Sequence, residues 1–149
     1  MITEAQFQEM RSRTVKAIGQ LKPEDAVKST GTVCLIISGQ IRGGKNNMIV
    51  TRSGLHFPKP EWAKWRDEAV AQIKRQLPPC FKPMDVQINM RFRYVAGDHR
   101  RRDMPAIIDS IFHVLEKAGV VVDDTLLWVC ESSREYDKNN PRAIITLSV

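Results

Sequence analysis

Residues 84–94 alternate apolar and polar side chains almost without a break, from Met84 to Tyr94. That period of two is typical of a β-strand with one buried and one solvated face. After a charged loop, apolar side chains recur every three or four positions from Met104 to Lys117, which predicts a helix that ends before Gly119. A strand and a helix of this kind share one core, and this indicates an α+β fold.

The rest of the chain supplies further elements of both kinds. Apolar runs predict strands over residues 33–37, 48–51, 126–130 and 143–149, and a helix is predicted from Glu61 to Gln76, between prolines. Trp62, Trp65 and Trp128 are expected in the core. The sum is a single α+β domain over residues 31–149, with a mixed sheet of about four or five strands and two or three helices. A helix predicted over residues 3–20 makes residues 1–30 an expected N-terminal helical appendage.

Basic side chains outnumber acidic ones by 23 to 17, which gives a formal net charge of +6. That excess favours a polyanionic partner, although charge alone does not separate nucleic acid from an acidic membrane surface. No apolar run approaches the roughly 20 residues that a membrane-spanning helix needs, and the first residues carry charges. We therefore expect a cytoplasmic protein with no membrane segment.

Two charged motifs flank the helix predicted over residues 104–117. Three arginines, Arg100 to Arg102, precede Asp103 at its start, where arginine forks and helix N–H groups suit phosphate oxygens. In the alternative, Asp103 caps the helix and the arginines form a solvated face. After the helix, Asp123 and Asp124 could bind Mg²⁺ beside the arginines, or could form an ordinary turn.

These motifs follow one another in a specific order. Arg101-Arg102-Asp103 opens the helix, Lys117-Ala118-Gly119 closes it, and Asp123-Asp124 comes after a short apolar segment. The order resembles the RusA family of Holliday junction resolvases. Gly43-Gly44-Lys45-Asn46-Asn47 is similar to that family's early turn, and Asn140-Pro141-Arg142 leads into a final strand as it does there. The resemblance covers roughly residues 32–149.

The resemblance implies a homodimeric, Mg²⁺-dependent endonuclease, with Mn²⁺ able to substitute. Such enzymes bind four-way junction DNA and nick two strands symmetrically during recombination and repair, and many come from phages or prophages. Carried over by position, Asp103 is the first catalytic aspartate, Asp124 is the aspartate after the helix, and Arg102 is an arginine important for function. The expected DNA-binding residues are Lys45, Asn46, Asn47, Arg100, Arg101, Arg102 and Lys117.

Two positions depart from the family pattern. The usual second aspartate is Pro105 here, and the lysine expected on the helix is Asp109. Asp109 could replace the missing carboxylate, or it could be a solvated residue on the polar side of the helix. Six helical residues rise about 9 Å and place Asp103 and Asp109 roughly 120° apart. The expected catalytic residues are Asp103, Asp109 and Asp124, and the expected metal ligands are Asp103, Asp109, Asp123 and Asp124.

Two other classes of function stay open at this point. A junction-binding or regulatory protein could have kept the basic surface and lost catalysis when Pro105 replaced the aspartate. An RNA- or single-strand-binding module could stack bases on the tryptophans. His99 and His113 could assist as a metal ligand or a general acid, but a surface or helix-face histidine is more common.

Overall fold

A computed structural model of the chain describes residues 27–28, 31–44 and 48–149. The helix predicted over residues 3–20 and the proposed DNA-facing residues Lys45, Asn46 and Asn47 lie outside the described residues. Val27 and Lys28 belong to the segment expected to be an N-terminal appendage. They pair with Val33 and Thr32 of the domain.

One sheet of five strands forms the centre of the fold. Its strands are β1 (Val27–Lys28), β2 (Thr32–Ser38), β5 (Ile88–Ala96), β6 (Leu127–Tyr136) and β7 (Arg142–Ser148). They are ordered β1-β2-β7-β5-β6, and β5 and β6 are parallel while the other neighbours are antiparallel. The described residues also form two helices, α1 (Pro60–Gln76) and α2 (Met104–Lys117), and a separate hairpin of β3 (Met48–Val50) and β4 (His56–Pro58). The predicted α+β fold is confirmed.

Helix α2 is the crossover that the parallel pair β5 and β6 requires. Its buried face carries Ile107, Ile111, Val114 and Leu115, which join the side chains of β5 in the core. The predicted bounds of this helix are confirmed, and Gly119 follows it with φ of 77°, a conformation that favours glycine. The chain therefore returns to the sheet directly after the helix.

The strand predicted from Met84 starts later, at Ile88. The backbone of Met84 is bonded elsewhere, because its N–H donates to Val120 O at 2.9 Å and its carbonyl accepts from Val122 N at 3.1 Å. Asp85, Val86 and Gln87 are exposed and lie outside the ladder. The alternation of apolar and polar residues continues from Met84 to Ile88, although the strand does not. The predicted start at Met84 was therefore wrong.

Strand β6 continues to Tyr136, well past the predicted end at Cys130. Its polar second half stays paired with β5 after a bulge between Met90 and Arg91, and cross-strand ion pairs support it. Arg91 lies 3.8 Å from Glu131, and Arg93 lies 3.4 Å from Glu135. An edge strand supported in this way needs few apolar residues.

The tryptophans divide between the core and the surface. Trp62 and Trp65 of α1 are buried, as expected, whereas Trp128 is 63% exposed. Trp128 lies opposite Asn89 on the exposed face of the sheet, so its expected place in the core was wrong.

Two glutamines of α1 complete the outer edge of β2, because β1 pairs only with Thr32 and Val33. The Gln76 side chain accepts from Ile36 N at 2.9 Å and donates to Ile36 O at 2.7 Å. Gln72 does the same for Ser38, at 2.8 and 3.3 Å. These amides take the place of a neighbouring strand and block edge-to-edge pairing.

Replacing Gln76 with Leu is expected to lower the free energy of unfolding by about 1–3 kcal/mol, because it leaves a half-buried backbone N–H and C=O unpaired. Urea unfolding measures the change. Arg75→Leu, an exposed neighbour on the same helix, is the matched control and should change stability by less than about 0.5 kcal/mol. Equal losses in the two variants would show that the amide contributes nothing.

Candidate functional site

A cleft of about 490 Å³ lies between the segment that follows β2 and the start of α2. One wall is residues 40–44, and the other is formed by the β5–α2 loop and the first turn of α2. The walls approach closely where a Cβ at Gly43 would lie 3.5 Å from Ala106, and Gly44 turns the chain away with φ of 98°. Arg42, Arg100, Arg102 and Asp103 all line this space.

Asp103 is the N-cap residue of α2, yet its side chain makes no capping hydrogen bond. Its carbonyl accepts from Ile107 N at 3.2 Å, while the carboxylate is exposed and lines the cleft. Asp at this position normally caps the helix through its side chain. The structure therefore contradicts the capping alternative. The Asp103 carboxylate lines the cleft instead, beside the positive end of the helix dipole.

The three arginines have different environments. Arg102 has a side chain only 19% exposed and forms a two-pronged ion pair with Asp98, at 2.5 and 2.9 Å. Arg100 is 85% exposed, and its backbone is held by Asp98 Oδ1 and by Arg134, whose Nη2 donates to Arg100 O at 2.6 Å. Arg101 is also exposed. Arg102 thus holds the loop, while Arg100 and Arg101 face solvent.

The Arg102 guanidinium holds the pKa of the Asp98 carboxyl well below its usual range. A carboxyl whose pKa is lowered in the folded state stabilises the fold fully above its unfolded pKa, about 3.9, and loses this contribution as pH falls through the folded pKa. The free-energy difference between wild type and Asp98→Asn should therefore be constant from about pH 7 to about pH 5 and shrink below about pH 4.

Urea unfolding across that range measures this difference. Asp85→Asn, which removes an exposed carboxyl outside the loop, is the control for the loss of one negative charge. A difference between wild type and Asp98→Asn that is the same at the lowest and highest pH would contradict the assigned ion pair.

Gln40 ties the two walls of the cleft together, and sequence reasoning missed it. Its Oε1 accepts from Gly97 N at 2.9 Å, and its Nε2 donates to the buried Tyr94 hydroxyl, whose pKa is raised by burial. Gly39, with φ of 95°, donates its N–H to Pro141 O at 2.8 Å and fixes the start of the same wall. The only signal in the sequence was a polar residue among turn-forming glycines.

The other expected carboxylates lie along and beside α2. Asp109 is half-buried in the second turn, and Asp124 is half-buried at the start of a 3-10 turn, Asp124–Leu126, that packs against α2. Asp123 is exposed, and its carboxylate accepts from Thr125 N at 2.8 Å and from Thr125 Oγ1 at 2.5 Å, which lowers its pKa. Asp123 therefore caps a turn, which agrees with the interpretation of Asp123 and Asp124 as an ordinary turn.

Carboxylate oxygens are the donors that Mg²⁺ prefers, so the chemistry of Asp103, Asp109 and Asp124 fits this ion. Within residues 27–28, 31–44 and 48–149, no three His, Cys, Asp or Glu side chains are grouped so as to hold a metal ion. Mg²⁺ is usually bound through one or two carboxylates, with water and substrate phosphates as the other ligands. A Mg²⁺ site therefore does not need three or more ligands from the protein.

Three further residues named from the sequence lie away from the cleft lining. Lys117 ends α2, about 20 Å along the helix from Asp103. The His113 ring lies 5.5 Å from Trp62, and the His99 ring stacks on Tyr136 at 3.8 Å. Neither histidine is among the residues that line the cleft.

Comparison with known proteins shows what the chain is similar to. No protein-family model matches the chain. The chain is similar to the crossover junction endodeoxyribonuclease RusA of Aquifex aeolicus (strain VF5), with 26% identity over 104 residues that cover 68% of this chain and 79% of the relative. This similarity supports a RusA-like relationship at low identity. Neither described helix is long and apolar enough to span a membrane.

Proposed function

We propose that this chain is an endonuclease that resolves Holliday junctions by paired nicks in the presence of Mg²⁺. The observation that carries the proposal is the Asp103 carboxylate, which is not used as a cap and lines an arginine-bearing cleft. A relative named as a crossover junction endodeoxyribonuclease supports the same chemistry and branched DNA as the substrate. This function places the protein with DNA in the cytoplasm.

The basic residues divide into phosphate contacts and a positioning pair. Arg100 and Arg101 are exposed and would contact the DNA backbone, together with Lys45, Asn46 and Asn47 of the neighbouring segment. Arg102 acts through Asp98 by holding the loop that presents Arg100. The loop is thus ordered before DNA arrives, which lowers the entropy lost on binding.

Two of the three carboxylates Asp103, Asp109 and Asp124 would hold the Mg²⁺ ion, with water and substrate phosphate as its other ligands. When bound, such an ion neutralises charge on a phosphate. It also lowers the pKa of a water bound to it, which makes that water a better nucleophile at neutral pH. The protein's own part is to place carboxylates along α2 and the turn beside it, next to a wall that binds the phosphate backbone. Lys117, at the other end of α2, would contact DNA outside the cleft.

A homodimer is part of the proposal, because a two-fold enzyme places two matched sites on a two-fold substrate. Light scattering tests it directly, since the proposal expects twice the chain mass.

A second candidate function, junction binding without catalysis, is favoured by Pro105 in place of the family's aspartate. Single-strand binding through Trp62 and Trp65 is weakened because both are buried, which leaves Trp128 as the exposed tryptophan.

Binding to a fixed four-way junction, in EDTA and against linear duplex competitor, tests the proposed substrate. We expect the junction to be preferred. Arg100→Ala should weaken binding to both DNAs and reduce the dependence of log K on log salt by about 1 unit. Arg75→Ala, an exposed arginine at the end of α1, is the matched control. Equal affinity for junction and duplex would count against a junction-selective enzyme.

A further inference from the structure

The hairpin of β3 and β4, residues 48–58, exposes apolar side chains on both of its faces; we call it the arm. Five of its large apolar side chains are between 41% and 58% exposed: Met48, Ile49, Val50, Leu55 and Phe57. Ile49 lies directly opposite Phe57, so these two share one face, while Met48 and Val50 lie on the other. A small two-stranded element that exposes this much apolar surface indicates a binding surface.

The arm has a defined shape at its tip. Thr51 N donates to Leu55 O and Gly54 N donates to Thr51 O, both at 2.9 Å, while Thr51 Oγ1 accepts from Leu55 N at 3.1 Å. Gly54 has φ of 78°, which favours glycine in this turn. Among the described elements, each strand makes its main contacts with the other. Isolated two-stranded hairpins are marginally stable, so a bound partner would stabilise the arm.

Charge identifies the kind of partner. From Gly39 to Pro60 the sequence has no Asp or Glu and four basic residues, Arg42, Lys45, Arg52 and Lys59. Arg42 pairs with Glu61 at 3.6 Å, which leaves Arg52 and Lys59 as the basic residues in and beside the arm. A second copy of this chain, with a net charge of +6, complements such a segment poorly. A partner with both negative charge and flat apolar faces complements it well, and unstacked nucleic acid bases on a phosphate backbone have both.

The arm is also continuous with the candidate cleft. The wall formed by residues 40–44 leads into β3 through three further residues, 45–47. A chain spans at most about 3.6 Å per residue, so the first residue of β3 lies within about 14 Å of Gly44, and a DNA strand bound along this wall can extend toward the arm. Bases near a branch point are less constrained by stacking than bases in a continuous duplex, and apolar side chains can enter such steps.

We propose that the arm contacts the branch point of junction DNA, with the Ile49–Phe57 face packed against unstacked bases and Arg52 on the backbone. This inference rests on the proposed function and adds to it the element that recognises the branch. Aromatic side chains stack on bases with little regard to sequence, and aliphatic side chains can insert between base steps. The arm therefore recognises the branched shape and leaves the choice of sequence to other contacts.

A fixed four-way junction with 2-aminopurine at the branch point tests the inference, with binding measured in EDTA so that strands stay intact. Saturating wild-type protein is expected to raise the fluorescence, because the base loses its stacked neighbours. Phe57→Ala should abolish that rise and weaken junction affinity by about tenfold, the scale of losing one stacked ring. Val50→Ala, similarly exposed on the other face of the arm, should retain both.

The outcomes separate this inference from the proposed function. If Phe57→Ala gives the wild-type fluorescence, the arm does not contact unstacked bases, although junction binding stands. If wild type is dimeric and Phe57→Ala is monomeric by light scattering, the arm is a subunit contact and the inference is overturned. If wild-type protein shows no preference for the junction over duplex, the proposed function itself fails. Matching circular dichroism spectra of the variants establish that all are folded.

Discussion

Asp103→Asn is expected to stop DNA nicking while junction binding stays within about twofold of wild type. The substitution keeps the shape of the side chain and removes the charge that lines the cleft. We expect the rate of nicking to fall by at least about a hundredfold, the scale on which loss of one charge-stabilising group acts. Single-turnover nicking on a fixed junction, with binding measured separately in EDTA, gives the two quantities.

Stability should change little in this variant, because the Asp103 carboxylate makes no capping hydrogen bond. Asp85→Asn, an exposed carboxylate in the segment before β5, controls for the loss of one negative charge and should nick as wild type does. If Asp103→Asn weakened binding as much as nicking, Asp103 would act in DNA binding and the assigned role would be wrong.

Asp109→Asn is expected to reduce nicking by a similar factor, at least about a hundredfold, if Asp109 replaces the carboxylate missing at Pro105. Asp109 lies on the same helix as Asp103, and the turn that carries Asp124 packs against that helix. A rescue makes the test specific: Pro105→Asp with Asp109→Lys recreates the family pattern and should restore much of the activity. Asp is well tolerated in the first turn of a helix.

Two results would contradict the role assigned to Asp109. Nicking that survives Asp109→Asn would leave Asp103 and Asp124 as the working carboxylates. Loss of nicking with an equal loss of thermal stability would show that the half-buried Asp109 side chain supports the fold instead. Melting temperatures of wild type, Asp109→Asn and the double variant separate these cases.

The parts of the fold that could be predicted were those with a strong hydrophobic period. The α2 pattern predicted the bounds of the helix, and the strand patterns beside it predicted the centre of β5 and the start of β6, although β5 begins at Ile88 and not at Met84. The second half of β6 could not be predicted, because its edge position makes polar residues acceptable and ion pairs to Arg91 and Arg93 support it. Trp128 was misplaced for a different reason, because it lies on the solvated face of the sheet, where Asn89 and Arg91 of the interior strand β5 are also exposed.

Some residues of the candidate site could be predicted, but the hydrogen bonds and ion pairs between them could not. The loop and Asp103 follow from a run of charged residues before a helix, but the partner of Arg102 does not, because a sequence does not show which carboxylate an arginine meets. Gln40, Gln72 and Gln76 escaped notice because each acts on backbone groups that are distant along the chain. Such contacts depend on the completed fold.

A denaturing gel of wild-type protein on a fixed four-way junction, with each of the four strands labelled in turn, shows whether the protein resolves junctions. We expect nicks at symmetric positions in two opposite strands, with Mg²⁺ and not with EDTA, and no nicks in a linear duplex of the same sequence. Intact strands from wild-type protein that still binds the junction would contradict this expectation and would favour a junction-binding regulatory protein.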